Sequence, residues 1–190
     1  MDVGSGSLVA GSISFTAGSP GGTGHRMTIS TGTATVSGNV TGTGTSSSII
    51  FSGNGLLQLG GSFYSAANGT LTTVAGSTVE YNGAAQTVQS FTTYNNLRLS
   101  GSGTKTLSTA TNTTLNGNLI VGDNTTFVVG ALTLFVNGTT TVGGGTSGTL
   151  SVTSTTGTKT FVGLVTIASG ATWNEAVNET FVFRGGITNN

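Results

Sequence analysis

Val36-Ser-Gly38-Asn-Val40, Leu59-Gly-Gly61-Ser-Phe63 and Leu115-Asn-Gly117-Asn-Leu119 share one pattern: apolar residue, spacer, glycine, spacer, apolar residue. It returns at Val9-Ala-Gly11-Ser-Ile13, Phe161-Val-Gly163-Leu-Val165 and Phe183-Arg-Gly185-Gly-Ile187. Weaker copies stand at Val136-Asn-Gly138-Thr-Thr140 and Tyr81-Asn-Gly83-Ala-Ala85. In an extended chain, residues two apart point to the same side, so both apolar residues and the glycine face one way. If that way is inward, the glycine marks a corner or a close approach where a side chain does not fit. With Gly101 of Leu99-Ser-Gly101 included, the glycines from 38 to 185 are spaced by 23, 22, 18, 16, 21, 25 and 22 residues, a mean of 21.

Such an interval suits one coil with three short faces. A single coil cannot bury its apolar side, whereas stacked coils share a continuous core. The pattern therefore predicts one all-β domain over 1–190, a right-handed parallel β-solenoid of about 8 coils of about 21 residues. At a strand spacing of about 4.8 Å, the stack is a rod on the order of 40 Å long.

The segments between the glycines agree. Thr31-Gly-Thr-Ala-Thr-Val36 presents a polar face, while Leu57-Gln-Leu59, Leu97-Arg-Leu99 and Leu132-Thr-Leu134 present apolar ones. Abundant Gly, Thr, Ser and Asn oppose helix. An antiparallel β-sandwich is the rival fold, because Asn54-Gly55, Asn68-Gly69, Asn82-Gly83, Asn116-Gly117 and Asn137-Gly138 are hairpin-turn signals. These pairs keep step with the repeat and lack flanking strands of matched length, which favours the solenoid.

Composition narrows the function. The 190 residues include 33 Gly, 39 Thr, 22 Ser and 15 Asn, with 5 % charged residues and a net charge of zero. Typical soluble domains carry roughly 25 % charge, so this surface is hydroxyl and amide. Val, Ile, Leu and Phe form about a quarter of the chain, too much for a disordered segment. The basic residues Arg26, Arg98, Lys105, Lys159 and Arg184 are too few and scattered for a nucleic-acid partner. No apolar run is long enough for a membrane-spanning helix. The lack of Cys excludes a disulfide framework and a thiolate metal site. Met1-Asp-Val-Gly4 is no export leader, so an exported protein would be represented here by a mature piece or an excised fragment.

The stretch from Tyr81-Asn-Gly-Ala-Ala-Gln-Thr-Val through Tyr94-Asn-Asn-Leu-Arg-Leu-Ser-Gly to Leu107 resembles the unit of very large repetitive surface proteins of Bacteroidota and related bacteria. Phe183-Arg-Gly-Gly-Ile-Thr-Asn-Asn190 resembles the start of another such unit. Autotransporter passengers built from β-strand repeats are similar in style. The resemblance implies an extracellular, cell-surface array with an adhesive, fibrous or envelope role, and it brings no functional residues.

Chemistry has few candidates. Of the carboxylates Asp2, Glu80, Asp123, Glu175 and Glu179, only Glu175 and Glu179 stand close together. With Trp173 they form a conceivable sugar-stacking platform flanked by acids, the contact that a polysaccharide partner or a carbohydrate-active enzyme would need. The plainer reading is an edge segment whose acids supply solubility. His25 has no Gly-x-Ser-x-Gly elbow to serve. Asp123-Asn124 lacks the glycine-rich calcium repeat, and Gly143-Gly-Gly145 lacks a following Lys-Thr. No catalytic residue, cofactor or metal ligand is assigned. Thr31-Gly-Thr33-Ala-Thr35 and Thr41-Gly-Thr43-Gly-Thr45 suit an ice-binding face if the same two outward threonines recur in successive coils.

The expected partner is the chain itself or a continuation of it. Terminal coils expose unpaired N–H and C=O groups. Here Leu8 and Val9 at one end, and Phe181, Phe183 and Ile187 at the other, are the assembly edges, guarded only by Asp2 and Arg184. The expected function is a non-enzymatic structural or adhesive module, with a ligand-binding solenoid as the alternative.

Overall fold

The computed structural model describes residues 1–16, 24–44 and 46–190. Among them every regular element is a strand, and the ladders are parallel. The chain is a β-solenoid of about 8 turns. Parallel pairing throughout excludes the sandwich, and the Asn-Gly pairs close no hairpins.

Each coil visits three faces in order, which we call approach, spine and departure. The spine is one nine-stranded sheet: Ser7–Ala10, Thr33–Val36, Leu56–Leu59, Thr78–Tyr81, Asn96–Leu99, Leu119–Val121, Thr140–Val142, Val165–Ile167 and Ile187–Asn189. Its matched positions Leu8, Ala34, Leu57, Val79, Leu97, Leu119, Thr140, Val165 and Ile187 lie 18 to 26 residues apart, about 22 on average. Alternation sorts the side chains as expected: Leu57, Leu59, Leu97, Leu99, Leu115, Leu119 and Leu134 are fully buried.

The glycine pattern marks two different corners. Gly38 and Gly61 follow their spine strands, whereas Gly117, Gly138, Gly163 and Gly185 precede theirs. The jump between corners shortens the Gly101–Gly117 interval to 16 residues, although the spine step from Leu97 to Leu119 is 22. That is why the glycine count falls below the true period. Both corners are compressed: a Cβ on Gly38 would lie 2.4 Å from the Gly11 carbonyl oxygen, and one on Gly163 2.3 Å from that of Gly138. Asparagines cement the same corners. Asn39, Asn96 and Asn118 each accept, through Oδ1, a main-chain N–H from the next coil, at Ser62, Asn118 and Thr139 (2.8–2.9 Å).

Only the spine runs unbroken. The approach ladder ends at Thr70–Thr72 and a new one starts at Thr93–Tyr94. The departure ladder ends at Val40–Gly42, with Phe63 bridged to Val40, and resumes at Gln86–Val88. The seam is filled by aromatic rings. Phe63 lies 4.5 Å from Tyr64, 5.3 Å from Phe91 and 6.5 Å from Tyr81, while Phe15 and Tyr94 complete the plug. Its hydroxyls are partnered, as burial demands: Tyr94 donates to the Gln89 carbonyl (2.6 Å), and Tyr64 to that of Thr70 (2.8 Å). Burial pushes the Tyr81 phenol up to about 12, and raises Tyr64 and Tyr94 as well.

Candidate functional site

The C-terminal end of the rod gathers Trp173, Glu175 and Glu179 with the edge residues Phe181, Phe183 and Ile187. Trp173 stands at an inward position, in register with buried Leu150. Its indole packs against Phe161 (5.3 Å), Phe181 (5.4 Å) and Phe183 (5.4 Å). It is half-buried, and its ring is turned to the end of the core rather than outward. Glu175 and Glu179 do meet, but through the Glu179 N–H donating to Glu175 Oε1 (3.1 Å). The Glu179 carboxylate is buried against Lys159 Nζ at 3.5 Å, so Glu175 alone of the two faces solvent.

This end has apolar positions that lack a cover. Phe161 and Val165 are fully buried, yet their column-mates one rung on, Phe183 and Ile187, are 37 % and 51 % exposed. Phe181 is half-buried. At the opposite end Leu8 is half-buried and Val9 is 80 % exposed. Ten of the thirteen aromatic residues thus lie in two clusters, one at the internal seam and one at this end.

Several polar groups escaped the sequence reading. Lys105 points inward with its ammonium donating to the carbonyls of Gly83, Ala84 and Ser102 and to Gln86 Oε1. Burial holds it down to about 8. Lys159, also inward, donates to the Thr156 carbonyl (2.9 Å), and burial lowers it against the opposing pull of Glu179. Both could have been found by parity, since Lys105 alternates with Leu107 and Lys159 with Phe161. On the outer spine, Thr35 donates to Gln58 (2.8 Å) and Gln58 to Glu80 (2.9 Å). Glu80 also receives Ser100 Oγ (2.6 Å) and faces Arg98 (3.3 Å).

Asp123 and Gly143-Gly-Gly145 belong together. Asp123 Oδ1 accepts the N–H groups of Gly144 (2.7 Å), Ser147 (3.0 Å) and Thr146 (3.3 Å), which lowers the carboxyl below its usual range. The glycine loop is thus a nest already filled by the protein's own anion. His25 is exposed. Among the described residues, no three His, Cys, Asp or Glu side chains converge as a metal site. Among the described residues no helix is long and apolar enough to cross a membrane.

The threonine arrays fall differently from expectation. Thr33 and Thr35 do face outward, but the next spine strand presents Leu56 and Gln58 at those positions. Thr45 lies outside the described residues. A longer threonine column stands on the departure face instead: Thr104, Thr126, Thr149 and Thr172. No family model, curated protein or solved structure matches this chain.

Proposed function

We propose that this chain is a non-enzymatic structural module of an extracellular bacterial surface or filament protein, whose terminal rungs seat further rungs. The observation that carries the reading is the C-terminal rung. Trp173, Phe181, Phe183 and Ile187 occupy inward positions, and a further coil would cover them as Phe161 and Val165 are covered. The internal seam supplies a precedent, because there a plug of rings joins two differently built stacks. A surface nearly free of charge offers little repulsion to such contact. A head-to-tail contact between copies is heterologous and need not close, so it yields a filament.

Sedimentation across a concentration series tests the reading. Growth of the species with concentration is expected, and Val182→Lys with Ile187→Lys should suppress it while the strand signal persists. A monomer at every concentration overturns it. A ligand-binding face is the second reading, favoured by the column Thr104, Thr126, Thr149 and Thr172. Thermal hysteresis that Thr149→Lys abolishes would select it.

A further inference from the structure

Each of the five Asn-Gly pairs carries the parts of a reaction with itself. The glycine nitrogen, once it loses its proton, can attack the Asn side-chain carbonyl carbon. That reaction needs a glycine N–H that is not committed elsewhere, and an Asn side chain with room to turn. In four pairs the N–H is committed. Gly55 donates to the Ser30 carbonyl (2.7 Å), Gly117 to that of Asn95 (2.9 Å) and Gly138 to that of Gly117 (2.9 Å). Gly83 donates to Gln86 Oε1 (2.9 Å). These bonds hold successive coils together, or close the corner that cages Lys105, so releasing one opens the rod locally.

Asn68–Gly69 is built differently. Asn68 is exposed, as Asn54, Asn116 and Asn137 also are, and its turn is closed within one coil by its own N–H donating to the Ser65 carbonyl (2.8 Å); the difference lies in the glycine. The Gly69 N–H donates to no acceptor among the described residues; its neighbour is the Tyr64 ring, 2.5 Å from where a Cβ would stand. We propose that Asn68–Gly69 is a self-modification site, at which the folded protein deamidates ahead of its four other Asn-Gly pairs. The Gly69 nitrogen bonds to Asn68 Cγ, the Cγ–Nδ2 bond breaks, and ammonia leaves with the displaced proton. Water then opens the five-membered imide at either carbonyl, leaving aspartate or isoaspartate.

The place gives the event a consequence. Isoaspartate lengthens the main chain two residues before Thr70, the first residue of the last strand in the N-terminal approach ladder. The Thr70 carbonyl is also the acceptor for Tyr64 of the seam plug. Either product adds a negative charge to a chain of net charge zero.

The full chain, folded and then unfolded in urea, is held in mildly alkaline buffer made with oxygen-18 water and mapped by peptide mass spectrometry. In the folded protein, label should enter at Asn68 roughly tenfold or more faster than at Asn54, Asn82, Asn116 or Asn137, the ratio set by one committed hydrogen bond. In urea the five rates should converge, and Asn68→Ser should remove the fast phase. The proposal falls if any other pair keeps pace with Asn68 in the folded protein. It falls equally if Asn68 stays unlabelled when folded while the unfolded chain reacts.

Discussion

Lys105 illustrates how alternation can overrule charge. Its neighbours Thr104 and Thr106 face out, so the strand's pleat turns the lysine in, where four oxygens receive its ammonium. Burial still weakens the charged form. Between about pH 8 and 10.5 the unfolded chain binds this proton and the folded chain releases it. Stability therefore rises with pH across that window, by at most about 1.4 kcal/mol per pH unit. Lys159 contributes in the same direction, so the comparison must isolate one residue. Thermal melts of the wild type and Lys105→Met should show a stability difference that shifts in favour of the wild type above pH 8. A parallel pair of profiles would mean that Lys105 does not titrate there.

The single strand is the unit at which the sequence was most legible. Inward and outward sides could be read from residues two apart, and Leu115, Leu119 and Leu134 are buried as that reading requires. Leu119→Asp places an unpaired charge in the core and should cost roughly 4 kcal/mol or more. Thr139→Asp, on an exposed corner, loses a 3.1 Å hydrogen bond to Asn118 and should cost only about 1 kcal/mol. Urea titrations of the two variants check the contrast. Corners were less legible. Glycine is demanded wherever successive coils press together, and two corners do so in different halves, so one motif stood for two places. The Asn-Gly pairs kept the sandwich open as a rival for a related reason, since a tight bend looks alike whether the chain turns back or turns a corner. At the candidate site, the sequence offers Trp173, Glu175 and Glu179 as a sugar platform or as an acid-bearing edge segment, whereas the structure turns Trp173 onto Phe161 and buries Glu179 against Lys159. Their inward aim was hidden because the partners Phe161 and Lys159 lie on the previous coil.

At the scale of the whole rod, the seam decides cooperativity. In stacked proteins each coil is stabilised mainly by its neighbours, so a weak interface divides the array. Phe63, Tyr64 and Phe91 each pack against three rings of the plug, and Phe63 joins Tyr64, Tyr81 and Phe91 across the seam. Phe63→Ala should cost about 3–5 kcal/mol. It should also split one unfolding transition into two, with the coils before and after the seam melting separately. Calorimetry reads this directly, and one sharp transition in the variant would refute the division.

The unbroken spine gives the rod a mechanical direction. One wall is a continuous hydrogen-bonded ladder from Ser7–Ala10 to Ile187–Asn189, while the other two are interrupted at mid-length. Loaded sideways, such a beam resists flexion that stretches its intact wall and yields to flexion that parts the two interrupted ones. The spine then acts as the hinge leaf and the aromatic plug as the compliant filling. A fibre made of these rods would be stiff along its axis and bend by preference at one point per unit, always away from the interrupted walls.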